Sequence, residues 1–119
     1  MNRPVHFEIL SEDPAGAAEF YRTVFGWEAA RWDGEQDYWM LATGDPAQSG
    51  IDGGLMLRHF DQRVINTVLV VDLDMSMERV RAAGGSVVHG PHYISGLGRH
   101  AYCSDLEGTL FGIMQADEE

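Results

Sequence analysis

Near the N-terminus the segment VHFEIL, residues 5–10, places His6 two residues before Glu8. On a β-strand successive side chains alternate faces, so this imidazole and carboxylate point the same way. Such a neighbourhood can be half of a metal site, an acid–base pair or a hydrogen-bonded core pair. Burying a carboxylate without partners is costly, so a buried Glu8 argues for a contact with a ligand. As a general base it would need its pKa raised toward neutrality by burial.

Other chemistry-bearing residues lie further along. In DYWML (37–41), Tyr38 and Met40 share one face and Trp39 and Leu41 the other. One pair must line a cleft and the other a helix layer. An aromatic wall would stack planar ligands and hold cationic groups by cation–π contacts. The stretch HGPHYISGLGRHAY (89–102) contains His89, His92 and His100. Its glycines read as a mobile loop, with His89 and His92 solvated or on a lid, whereas His100 and Tyr102 alternate onto one strand face. Thr67, in INTVLVV, completes the candidate ligand contacts: His6, Glu8, Tyr38, Met40, Thr67, His100 and Tyr102. Cys103, opposite in facing to Tyr102, reads as packed rather than reactive. Met56, in GGLML, is a pocket filler or plain core.

These residues need elements to position them. A strand fits 4–10, and Asp13-Pro14 marks a helix start, an N-cap acceptor followed by proline at the first helical position. Ala17, Phe20, Tyr21, Val24 and Phe25 recur at the spacing of one buried helical face, and Gly26 ends the helix. Strands are expected near 27–32, 37–42 and 53–58, separated by an Asp-Gly turn and the loop TGDPAQSGIDGG. The second half starts over with a buried strand at 65–71. A helix then closes on Gly84 and Gly85 with Leu73, Met77 and Val80 on one face. Strands near 86–94, 98–104 and 109–115 follow, the last two split by the turn SDLEG. The acidic tail ADEE is expected to fray.

This is an internal repeat in layout: Asp13 to Gly26 spans thirteen residues, and Asp72 to Gly85 thirteen again. The expected fold is α+β, two βαβββ units pairing curved sheets around a cleft. Both units belong to a single domain over 1–119, with a boundary near residue 60.

Composition narrows the function. At 119 residues the chain has room for one core, and 45% hydrophobic residues place it among globular proteins. A formal charge of -11 repels phosphates and anionic lipid surfaces, so neither nucleic acid nor membrane is an expected partner. All eight bases are arginine, and the absence of lysine removes Schiff-base and P-loop chemistry. The glycine pairs Gly53-Gly54 and Gly84-Gly85 lack a phosphate-loop context, and there is no Ser-His-Asp order or nucleophile elbow. One cysteine excludes an internal disulfide and, with no long apolar stretch in MNRPVHFEIL, leads to the expectation of a cytoplasmic protein without a secretory signal.

The segments VHFEILSEDPAGAAEFYRTVFGW, GIDGGLM, VVDLDMSMERVRAAGG and RHAYCSDLEGTLFGIMQ together resemble the vicinal oxygen chelate superfamily, which includes glyoxalase I, bleomycin resistance proteins and extradiol dioxygenases. The likeness covers essentially the whole chain. It departs from the closing Asp-Pro-x-Gly turn by carrying Leu106 in place of proline. The resemblance implies a metal ligand on the first and last strand of each unit. His6 falls on the first such position, Gly54 on the second, Ile65 or Asn66 on the third, and Gly112 on the fourth. A catalytic divalent metal needs about three protein ligands, so no cofactor is expected. A reduced metal set would be His6, Glu8 and His100.

The first functional reading is therefore a metal-free small-molecule binder of the bleomycin-resistance type, holding a planar or cationic ligand. The second is an enzyme: a lyase or isomerase with Glu8 as base and His6 as acid, or a lyase or dioxygenase-type protein with that reduced metal set. The third is a dimeric accessory domain with a vestigial cleft. Because the proteins it resembles often pair through their sheets, some exchanging units, a homodimer is expected.

Overall fold

In a computed structural model of the chain, residues 1–32 and 38–117 are described. The Asp-Gly turn at 33–34, the first residue of the DYWML segment and the end of the acidic tail lie outside them. The elements are β1 (Arg3–Ser11), α1 (Pro14–Phe25), β2 (Glu28–Arg31), β3 (Tyr38–Ala42), β4 (Gly53–Leu57), β5 (Val64–Leu69), α2 (Leu73–Ala82), β6 (Ser86–Ile94), β7 (Gly98–Ser104) and β8 (Leu110–Ala116). The chain divides into two compact units, one from His6 to Val64 and the other from Ile65 onward together with Met1–Val5.

In the first unit the strand order is β2-β3-β4-β1, with β1 and β4 parallel and the other pairs antiparallel. In the second it is β5-β8-β7-β6, with β5 and β8 parallel. The two orders are the same traced from opposite edges, and each unit adds one helix. This is the α+β, βαβββ-repeat architecture of the glyoxalase-like fold.

The helices start and stop where the sequence says they should. The Asp13 carboxylate accepts from the Gly16 N–H at 3.2 Å, and Pro14 fills the first helical position. The Asp72 carboxylate accepts from the Met75 N–H at 3.0 Å. Gly26 closes α1 at φ +76°, a left-handed conformation that glycine adopts without a Cβ penalty.

Each helix packs on one face of its own sheet. In the first unit Ala18, Leu41 and Leu55 form the buried centre, with Phe7, Ile9, Trp27 and Trp39 around it. Leu41 and Leu55 are fully buried, each worth roughly 1.5–3 kcal/mol relative to exposure. In the second, Leu73 and Met77 of α2 pack against Val70, Ala101, Cys103 and Ile113, with Val80 at the margin. The expected α2 face is the buried one. Cys103 is core, and burial pushes its thiol pKa up, which suppresses the nucleophilic thiolate.

The face of α1 differs from the expectation. Pro14 and Ala18 are buried and Ala17 and Tyr21 half-buried, whereas Phe20, Val24 and Phe25 are exposed. Small residues let the helix approach the sheet closely, and the bulky stripe turns outward. There Phe20, Tyr21, Phe25 and Trp27 contact one another, with centroid separations from 5.2 to 6.5 Å.

Candidate functional site

With Phe7, Ile9, Trp39, Leu41 and Leu55 committed to α1, alternation puts His6, Glu8, Tyr38, Met40 and Gly54 on the other face of the first sheet. The strand register aligns Glu8 with Gly54 and Gly54 with Met40 in one row. The choice left open by DYWML is thereby made: Tyr38 and Met40 face away from the helix. Glu8 is 6% exposed, His6 and Tyr38 are half-buried, and Met40 is exposed.

His6 Nε2 and Tyr38 Oη are hydrogen-bonded at 2.7 Å. Burial holds the His6 pKa below its ordinary value, against the opposing pull of the Glu8 and Asp52 carboxylates. The imidazole is thus neutral at pH 7, and its Nε2 is occupied by the phenol. The Tyr38 ring lies over Gly54 so closely that a Cβ there would overlap Oη and Cζ. A tyrosine from β3 therefore fills the space above Gly54, the residue at which the resemblance would place a second ligand.

The second unit repeats this plan with different chemistry. Thr67 aligns with Gly112, and Gly112 with Tyr102. The register makes Thr67 the counterpart of Glu8, Gly112 of Gly54, Tyr102 of Met40 and His100 of Tyr38. By the same count the counterpart of His6 is Ile65, fully buried, not the exposed Asn66. His100 covers Gly112 as Tyr38 covers Gly54: a Cβ on Gly112 would stand 2.7 Å from His100 Nε2 and 2.7 Å from Thr67 Oγ1. Thr67, His100 and Tyr102 are all buried.

His89 and His92 are not loop residues. Both lie on β6, His89 opposite Tyr102 and His92 opposite His100. Register shifts between Val87 and His89 and between His89 and His92 turn side chains of opposite parity toward the same row. Gly90, inside the second irregularity, has φ +100°, which a residue with a Cβ rarely adopts. The ring centroids of His89 and His92 are 5.5 Å apart, those of His92 and His100 5.1 Å, and those of His100 and Tyr102 4.5 Å. The bulges that create this row have no strong signature in sequence beyond Gly90-Pro91.

The positions that the resemblance marks for metal ligands thus carry His6, Gly54, Ile65 and Gly112. They offer a single imidazole, already bonded to Tyr38, and no second side-chain donor. Among the described residues, no group of three or more His, Cys, Asp and Glu side chains is arranged to hold a metal ion. The side chains at those positions do not make up the three protein ligands that a catalytic divalent ion needs.

Residues 3–44 match the family model for the N-terminal part of bleomycin resistance protein-like sequences. The chain is 29% identical over 136 aligned positions to the anthracycline biosynthesis protein DauV of Streptomyces sp. strain C5, covering 92% of this chain and 46% of DauV. DnrV of Streptomyces peucetius is equally similar, at 29% identity with 92% and 46% covered. The chain spans about half the length of these relatives. Among solved structures, methylmalonyl-CoA epimerase from Mycobacterium tuberculosis superposes with a TM-score of 0.72 at 18% identity, covering 97% of this chain and 88% of that one. A variant of the Streptomyces coelicolor methylmalonyl-CoA epimerase in complex with 2-nitronate-propionyl-CoA gives 0.74 at 20% identity, covering 99% of each. These structural likenesses are likenesses of fold.

Proposed function

We propose that this chain, a member of the vicinal oxygen chelate superfamily by the fold and the bleomycin resistance-like match of residues 3–44, binds a small planar molecule bearing a cationic or hydrogen-donating group, without a metal ion. The observation that carries this reading is Tyr38: its hydroxyl fills the space over Gly54 and engages His6, where a metal enzyme of this architecture needs open ligands. What remains on that face is a receptor for an organic cation. The buried Glu8 carboxylate supplies the charge, and the Tyr38 ring and Met40 supply apolar contact. The bleomycin-resistance likeness of residues 3–44 supports the same reading.

The experiment is a pair of measurements on protein purified without chelator. Elemental analysis is expected to find transition metals far below one per chain. A thermal-shift screen is expected to find stabilisation by aromatic cations, since a ligand that binds only the folded state raises the melting point by mass action. A near-stoichiometric transition metal, or a screen in which aromatic cations do nothing, would end the proposal.

An enzyme is the second reading, favoured by one observation. A neutral imidazole touching a phenol, with Glu8 on the same face, is a metal-free set of groups able to move a proton. Glu8 would take the proton from a carbon beside a carbonyl, and the Tyr38 hydroxyl would donate to the developing oxyanion.

A homodimer is part of the proposal. The aromatic stripe of α1, with Phe25 62% exposed, is the kind of patch that self-association covers. Sedimentation equilibrium is expected to give twice the chain mass, and a monomer across the micromolar range would exclude it.

A further inference from the structure

Resting on the reading of the first unit as a receptor for an organic cation, we propose that Asp52 is a second counter-charge in that site. It sets a preference for a planar molecule carrying a cationic group at each of two opposite ends.

The placement follows from strand register. β1 and β4 run parallel, with Phe7 beside Gly53 and Glu8 beside Gly54. One step back along both strands sets Asp52 beside His6, on the face that carries Glu8, Tyr38 and Met40. The electrostatics agree: the carboxylates of Glu8 and Asp52 both pull the His6 pKa upward, against its burial. His6, Glu8, Gly54 and Asp52 are therefore the corners of a rectangle, roughly 6.6 Å along the strands and about 4.8 Å between them. Tyr38 takes one diagonal, covering Gly54 and bonding to His6 at 2.7 Å. Glu8 and Asp52 hold the other two corners, on opposite sides of that ring, with Cα atoms about 8 Å apart.

The Asp52 carboxylate is fixed in place. Thr43, where the chain leaves β3, donates its N–H to Asp52 Oδ1 at 2.9 Å, and its hydroxyl donates to the Ile51 carbonyl at 2.7 Å. Among the described residues the hydrogen bonds to Asp52 go to Oδ1 alone, so closing the loop uses one oxygen and leaves Oδ2 as an acceptor. Asp52 is exposed, and a cavity of about 110 Å³ opens beside it, lined by Thr43, Asp45, Gln48 and Ser49 together with glycine and proline. A cationic group arriving there meets acceptors and no apolar wall.

A single ammonium group cannot touch two carboxylates so far apart, and a single carboxylate does not sort ligands by length. Two carboxylates with an aromatic ring between them do. A flat ligand lying against Tyr38 meets Glu8 at one end and Asp52 at the other. The corresponding corners of the second unit are Thr67 and Leu110, which carry no charge, so the paired counter-charge belongs to the first unit.

The probes are the para and ortho isomers of bis(aminomethyl)benzene, equal in charge and ring but different in the separation of their ammonium groups, with benzylamine as the single cation. Isothermal titration of the intact chain is expected to show the para isomer binding about fivefold tighter than the ortho isomer, the upper range for one exposed ion pair. Asp52→Asn is expected to make the two isomers equal. Asparagine keeps the oxygen that accepts from the Thr43 N–H, and an unchanged thermal unfolding midpoint checks that the loop is retained. Equal affinities of the two isomers for the wild type would overturn the proposal without any variant, and so would a para preference that survives in Asp52→Asn. Benzylamine binding that Glu8→Gln weakens would, in either case, leave the first-unit reading standing. Binding of none of the three amines would overturn that reading and this inference together.

Discussion

Gly54→Ala should cost about 1–3 kcal/mol of folding stability, the range for forcing extra volume into a packed site. The reason is steric and local. A Cβ at this position would overlap Oη and Cζ of Tyr38, so the ring must leave the space it occupies and break its hydrogen bond to His6. In a Tyr38→Ala background the same substitution should cost nothing. It should even gain a few tenths of a kcal/mol, because alanine in a strand restricts the unfolded chain more than glycine does. Denaturant unfolding of the four proteins in this double-mutant cycle gives the coupling directly. A neutral Gly54→Ala, or an equal cost in both backgrounds, would mean that Tyr38 does not fill the glycine's place. The case against a metal in the first unit would then lose its geometric basis.

For Glu8→Gln the expected result concerns binding. Affinity for aromatic cations found in the thermal-shift screen should fall by at least tenfold, about 1.4 kcal/mol, while affinity for neutral planar compounds of the same size should change little. Glutamine keeps the shape and the acceptor oxygen but removes the charge, so the difference between the two ligand classes isolates the electrostatic part. Glu8 is buried on the sheet face that carries Tyr38 and Met40, where attraction is less screened than on the surface. Isothermal titration of matched cationic and neutral ligands makes the comparison. Equal losses for both classes, or none for either, would show that Glu8 is not the ligand's counter-charge.

Much of the fold was legible in the residues. Asp13-Pro14 and Asp72 are N-caps because their carboxylates can satisfy helix N–H groups locally, and Gly26 and Gly84 end helices because they can turn left-handed. Such signals act within a few residues, so sequence carries them intact. The repeat of two βαβββ units followed from their spacing, and the strands 86–94 and 98–104 lie where alternation and glycines placed them. The glycines at two ligand positions were likewise visible, since a missing side chain needs no structure to be missing.

What the sequence left undecided depended on contacts between distant residues. The spacing of Phe20, Val24 and Phe25 marks an apolar stripe, but periodicity does not say which of two apolar stripes a sheet covers. Pro14 and Ala18 took that place because small side chains allow the closer approach. His89 and His92 fall inside the expected strand 86–94 but also read as a glycine-marked lid, and the row they form with His100 was hidden because a bulge is a property of two paired strands, which one strand read alone cannot display. Tyr38 reaches His6 across 32 residues of chain. Whether its ring would fill the space over Gly54 or leave it open was fixed only when β1, β3 and β4 came into register. Local chemistry thus determined the elements, and tertiary packing decided which side chains stand over their glycines.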